Sequence, residues 1–200
     1  MCRAILPAAL LLAAPCAAFA ADARLVVTDA AGRPLAGVVV SAYPAGPRLP
    51  VRIGGPYRMA QQNVQFQPDV LIVPVGASVS FPNLDRFRHQ VYSFSATKRF
   101  ELKLYGRDES HSVTFDKPGT VALGCNIHDG MTAYIRVVDT PFAARSGADG
   151  VVMLSGLPAG TVRLKLWHPQ LRGGGRELDV PVAVPPGGLR QTLAVPVRAG

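Results

Sequence analysis

Two hundred residues with a formal charge of +8, spread over Arg and Lys without a dense basic run, make nucleic acid a poor partner for this chain. Eighteen Pro and twenty Gly exclude long helices. The stretches between them are short, rich in Val, Leu and aromatic residues and often alternating, which marks the chain as all-β.

The chain opens with Met1-Cys2-Arg3, an apolar run from Ala4 to Phe19 and a small-residue site at Ala18-Phe19-Ala20. This pattern predicts a secretory signal peptide over residues 1–20, cleaved after Ala20. The run contains Pro7 and Pro15 and falls short of the roughly 20 residues a membrane helix needs, so no stable membrane insertion is expected. Cys16 follows Pro15, where a lipoprotein site would want a small residue, and belongs to the apolar core of the signal. Cleavage would place the protein in the periplasm, remove Arg3 so that +8 becomes +7, and leave Cys125 as the sole thiol. A lone exported cysteine is buried and inert, paired with another chain, or held by a metal. The diffuse positive charge favours an acidic partner or anionic surface.

Strands are predicted at Arg24 to Thr28, Gly37 to Tyr43, Val70 to Val73, Ser78 to Phe81, His89 to Phe94, Phe100 to Leu104, Ser112 to Phe115, Gly119 to Leu123 and Thr132 to Val138. Further strands follow at Val151 to Leu154, Thr161 to Trp167, Glu177 to Val182 and Arg190 to Val197. Pro44 to Pro56 is too broken by Pro and Gly to lie in a sheet and reads as a linker. A second boundary falls at Thr140-Pro141, before the polar stretch Ala144 to Gly150. Residues 57–140 are therefore expected to form a domain with its own core. The flanks, 21–56 and 141–200, hold too few strands to bury a sheet face singly. They are expected to pair with each other around the inserted middle; two separate β appendages are the alternative.

The sharpest signal is Gly124-Cys125-Asn126-Ile127-His128-Asp129-Gly130-Met131 between two predicted strands, a C-x2-H-x2-M loop. It gathers a soft thiolate, an imidazole and a weak thioether. A His2Cys set with an axial Met suits copper, and one imidazole is missing. It should come from another strand, and His89 supplies it after the polar turn Pro82 to Arg88. Zinc is the rival metal for a Cys/His2 set, and Met131 argues against it, since a thioether adds little for zinc. His111, in a polar turn, and His168, at a strand end, are left out of the site.

Phe81-x-Asn83-x-Asp85-x-x-x-His89 ahead of C-x2-H-x2-M resembles the cupredoxins, with a loop length like that of amicyanin, over about Tyr57 to Val138. The whole chain is similar to exported proteins described as plastocyanin-like or methylamine-utilization proteins. Val27 to Val40, and Asp149-Gly150 through Leu154 to Trp167, resemble the carboxypeptidase-regulatory-like (prealbumin-like) sandwiches. These resemblances imply a Greek-key cupredoxin sandwich inserted in or flanked by a second small β-sandwich. They imply one type 1 copper ion held by His89, Cys125, His128 and Met131, electron transfer with a transient redox partner, and no enzyme activity. Two departures bear on the surroundings of the metal: Gln90 stands where an Asn usually follows the ligand His, and Arg88 replaces a Pro. Val121, four residues before Cys125, excludes a binuclear copper centre. No Gly-x-Ser-x-Gly, His-Glu-x-x-His, phosphate-cradling loop or dinucleotide fingerprint occurs. A copper carrier or sensor without a redox role is the alternative function.

Overall fold

The computed structural model describes residues 20–52, 54–173 and 177–198. The signal-peptide reading falls on residues 1–19, with Cys2 and Cys16, outside the described residues. Seventeen strands follow in order: β1 (Ala20–Thr28), β2 (Val39–Pro44), β3 (Tyr57–Arg58), β4 (Ala60–Gln62), β5 (Gln65–Gln67), β6 (Val70–Pro74), β7 (Ala77–Pro82), β8 (His89–Ser95) and β9 (Lys98–Tyr105). Then come β10 (Ser110–Phe115), β11 (Gly119–Gly124), β12 (Thr132–Val138), β13 (Ala143–Arg145), β14 (Val151–Pro158), β15 (Gly160–Trp167), β16 (Leu178–Val184) and β17 (Leu189–Ala194). Among the described residues there is no helix, and hence none long and apolar enough to cross a membrane.

Two cores result. In the middle of the chain a five-stranded sheet, ordered β6-β12-β11-β8-β9, faces a three-stranded sheet, β10-β7-β3. Alternation buries Val79 and Phe81 of β7, Val121 and Leu123 of β11, and Ala133, Ile135 and Val137 of β12 between them. In the second sandwich, β14-β1-β17 faces β13-β2-β15-β16. Here β1 lies antiparallel to β14 and parallel to β17, so the two ends of the chain share one sheet. Its core is wholly aliphatic, with Leu25, Val27, Val40, Leu164 and Leu166 among the buried residues.

The period of two also explains how the sandwiches meet. Along β2 both faces are covered: Val40 and Ala42 point into the aliphatic core, while Val39 joins Val70 and Trp167 in a third cluster at the junction. Trp167 of β15 meets Tyr134 of β12 edge-on, ring centroids 5.2 Å apart, and the Arg136 guanidinium lies 5.2 Å from the Trp167 ring centre. Arg136 is buried and is bonded by Glu177, which also accepts from Lys165 at 2.8 Å. Arg145 grips both carboxylate oxygens of Asp69, at 2.7 and 2.6 Å. Tyr43 donates to Asp139 at 2.9 Å.

The predicted strands all occur, and four were not predicted: β3, β4, β5 and β13. Each is two or three residues long, too short to display a period. β13 lies at the start of the polar stretch after Thr140 and pairs with β2. His111 is corrected from a turn to strand β10, opposite Phe81, with its exposed ring edge-on to Tyr105 at 4.7 Å.

Candidate metal centre

The upstream half of the site is built by a buried asparagine. Asn83 donates from its side-chain amide to the carbonyls of Phe87 at 2.7 Å and Tyr105 at 3.1 Å, and its side-chain oxygen accepts from the Asp85 amide at 2.9 Å. These bonds close the polar turn and deliver the chain into β8 with His89 first and facing inward, fully buried. Opposite, β9 carries a bulge: His89 pairs with Tyr105 but Val91 pairs with Leu102, so one extra residue lies on β9. The bulge exposes both Lys103 and Leu104 and returns Tyr105 to the core beneath the site.

The downstream half is the loop from β11 to β12. Gly124 ends β11 against Tyr92 of β8, and a Cβ there would stand 2.6 Å from the tyrosine ring, so only glycine lets the ring cover this turn. Gly130 takes a positive φ of 82°, which lets the loop turn back. The Met131 amide donates to the His128 carbonyl at 3.2 Å, which closes the loop.

The fold brings His89, Cys125 and His128 together, with one ligand atom from each lying within 4.8 Å of the others. Cys125 Sγ is 3.9 Å from Nδ1 of His89 and 3.9 Å from Nδ1 of His128. The two rings are 4.8 Å apart, centre to centre. Cys125 and Met131 are both buried in the central core, and Cys125 forms no disulfide. His128 keeps part of its surface exposed, with the exposed Phe87 ring edge-on at 6.5 Å.

One thiol and two imidazole nitrogens converging inside an apolar core are poor neighbours unless something binds them. Thiolate and neutral imidazole are the donors that soft and borderline transition metals take, and the set fits copper in chemistry and number. His89 turns its other nitrogen, Nε2, to Asp85 Oδ2 at 2.8 Å. The Asp85 carboxyl is held below its usual range: burial works against this, but the Val64 and Asn63 amides and the His89 ring outweigh it. Below the site, burial pushes the Tyr105 hydroxyl up to about 12, so it stays protonated and donates to the Phe81 carbonyl at 2.7 Å.

Gln90 does what its position left in question. Its side-chain oxygen accepts from the Asn126 side chain at 2.9 Å and so ties β8 to the ligand loop, while its amide donates to Glu101 at 2.5 Å. Arg88 is exposed and donates to the Leu104 carbonyl at 3.0 Å. His168 stands apart, a half-buried residue that accepts from the Gln170 amide at 3.2 Å; burial lowers its pKa. The sequence reading overlooked Asp85 as a partner of His89, although the quoted motif contains it, and overlooked Phe87 beside His128. Nothing in the sequence signalled that Asn63 and Val64 reach the same carboxylate.

No family model matches the chain, and no curated protein matches it. Among solved structures it is similar to the Cu-containing nitrite reductase from Thermus scotoductus SA-01, at 30% identity over 48% of this chain, with a TM-score of 0.40. The chain spans only 27% of that protein's length. It is similar also to an amicyanin variant in the Cu(I) state, at 21% identity over 41% of this chain and 81% of that one, TM-score 0.38. A purple cupredoxin from Nitrosopumilus maritimus shares 18% identity over 42% of this chain and 100% of its own, TM-score 0.38.

Proposed function

We propose that this protein binds one type 1 copper ion, which His89, Cys125, His128 and Met131 would hold, and serves as an electron carrier in the periplasm. The observation that carries the reading is the buried convergence of one thiol and two Nδ1 atoms from separate strands and loops. Bound copper supplies a one-electron couple. The chain supplies rigidity: Asn83 fixes the upstream turn, Gln90 and Asn126 fasten the two ligand segments, and the apolar core excludes water from the thiolate. Residues 57–140 form the metal-bearing domain in this reading, and 21–56 with 141–200 form the second sandwich.

Electrons enter and leave at the exposed edge of His128, beside Phe87 and Ile127, which are 62% and 49% exposed. Arg86 and Arg88 flank Phe87 at the surface. An apolar centre with a cationic rim suits a small, transient contact with an acidic redox protein. The test is the visible spectrum of copper-loaded protein. A strong thiolate-to-copper band is expected in wild type and none in Cys125→Ala; a colourless wild type that binds copper would defeat the type 1 assignment. Reversible one-electron voltammetry is expected too, whereas rapid loss of Cu(I) to a chelator would reassign the site to copper carriage.

A further inference from the structure

Beside the metal donors, one carboxylate makes three hydrogen bonds to groups far apart in sequence. Asp85 Oδ2 meets His89 Nε2 at 2.8 Å and the Val64 amide at 2.9 Å, and Oδ1 accepts from the Asn63 amide at 2.7 Å. Asn63 and Val64 form the two-residue turn between β4 and β5, and both hold positive φ, 55° and 58°. That conformation is unfavourable for an L-residue, and it suits a branched side chain such as valine worst. The rest of the hairpin is anchored separately, with Gln61 fully buried, Phe66 in the central core and the Leu84 amide donating to the Gln61 carbonyl at 2.9 Å.

We infer that Asp85 is a positioning residue with two coupled tasks: it fixes the tautomer and tilt of the His89 ring, and it locks the strained Asn63-Val64 turn to that ring. An ionised carboxylate can only accept, so the proton of a neutral His89 must sit on Nε2. Nδ1 is then left with a free lone pair, 3.9 Å from Cys125 Sγ. A carboxylate behind a ligand imidazole also raises the basicity of the ring. Because one side chain holds both the turn and the ring, whatever steadies the ring steadies the turn. Coupling of this kind is reciprocal, so metal binding protects the turn and loss of the turn weakens metal binding.

The inference rests on the copper reading only for its last step, and the experiment separates the two. In the metal-free full chain, nitrogen NMR of His89 is expected to show a single Nε2–H tautomer in wild type and a mixture in Asp85→Ala. Amide exchange at Asn63 and Val64 is expected to accelerate about tenfold or more in Asp85→Ala, while amides of β11 and β12 keep their protection and show that the variant is folded. Unchanged exchange at the turn, or an unchanged tautomer, would overturn the inference. In the copper-loaded protein the affinity of Asp85→Ala is expected to fall about 10–100-fold. The nearly isosteric Asp85→Asn, which removes the charge and turns one acceptor oxygen into an NH2 donor, is expected to raise the reduction potential, a change that lost packing would not produce. An unchanged potential in Asp85→Asn would overturn the electronic part. A wild type without the thiolate-to-copper band, but with the single tautomer and protected turn, would sink the copper reading alone.

Discussion

The two sandwiches solve the same packing problem with opposite materials. The second sandwich buries Ala, Val and Leu between its sheets. The central one buries Met59, Phe66, Tyr105, Cys125 and Met131, with Gln61, Asn83 and His89 fully enclosed alongside. Aliphatic side chains need only volume and shape, whereas buried polar groups need partners, and the bonds of Asn83, the Gln61 amide nitrogen, Tyr105 and Asp85 are among those partners. The contrast separates a core that holds the fold from a core that also holds the proposed metal donors.

Exchanging one buried side chain in each sandwich gives the sharpest test of that separation. Leu164→Ala should cost about 2–5 kcal/mol of stability, measured by urea unfolding, with the copper band unchanged, since Leu164 lies only in the aliphatic core. Cys125→Ala should do the reverse: it removes the band for a stability loss of about 1 kcal/mol. If Leu164→Ala bleached the band in folded protein, the two cores would not be independent.

Acid should act next most strongly, and at the junction. The Glu177 carboxyl sits below its ordinary 4.5, because Lys165 and Arg136 outweigh a burial that works to raise it. Asp69 sits below 3.8, held there by Arg145 against its own burial. Both values are depressed on folding, so the stability they contribute is complete at neutral pH. It begins to fade as pH falls through the ordinary carboxylate values and is gone below the depressed ones. Trp167 is the sole tryptophan and lies in the junction, so its fluorescence should change over that window. Glu177→Gln should blunt the change; an identical acid transition in that variant would remove Glu177 from the account.

The smallest effect is expected at the hairpin turn. Val64→Gly relieves a positive φ worth about 1–2 kcal/mol while adding about 0.5–1 kcal/mol of unfolded-chain entropy. A net gain of about 0–1.5 kcal/mol, confined to the central sandwich and read by urea unfolding, is expected. A loss would mean that the valine side chain packs to some purpose at this exposed site.

What the sequence made legible follows from periodicity. Strands of five residues or more announce themselves by alternation, as β8 and β12 do, and the proposed donors Cys125, His128 and Met131 by their spacing around a loop. Short strands such as β4, β5 and β13 carry no period and emerge only from pairing. The hydrogen bonds around the donors were hidden for a related reason. Gln90 reaches Asn126 across 36 residues, and Asp85 reaches Asn63 across 22, and neither distance leaves a local trace. Even β9, visible from Phe100 to Leu104, concealed its bulge, because the one extra residue is defined only against β8.

The shared sheet of the two chain ends has a consequence for the order of assembly. Apart from a local bridge between Thr28 and Pro34, the strand partners of β1 among the described residues are β14 and β17, and those of β2 are β13 and β15, all of which follow β12 in the chain. The strands between Tyr57 and Val138, β3 to β12, pair among themselves in three sheets. β1 and β2 thus wait for their sheet partners, and the outer sandwich is a clasp that shuts once β17 has arrived.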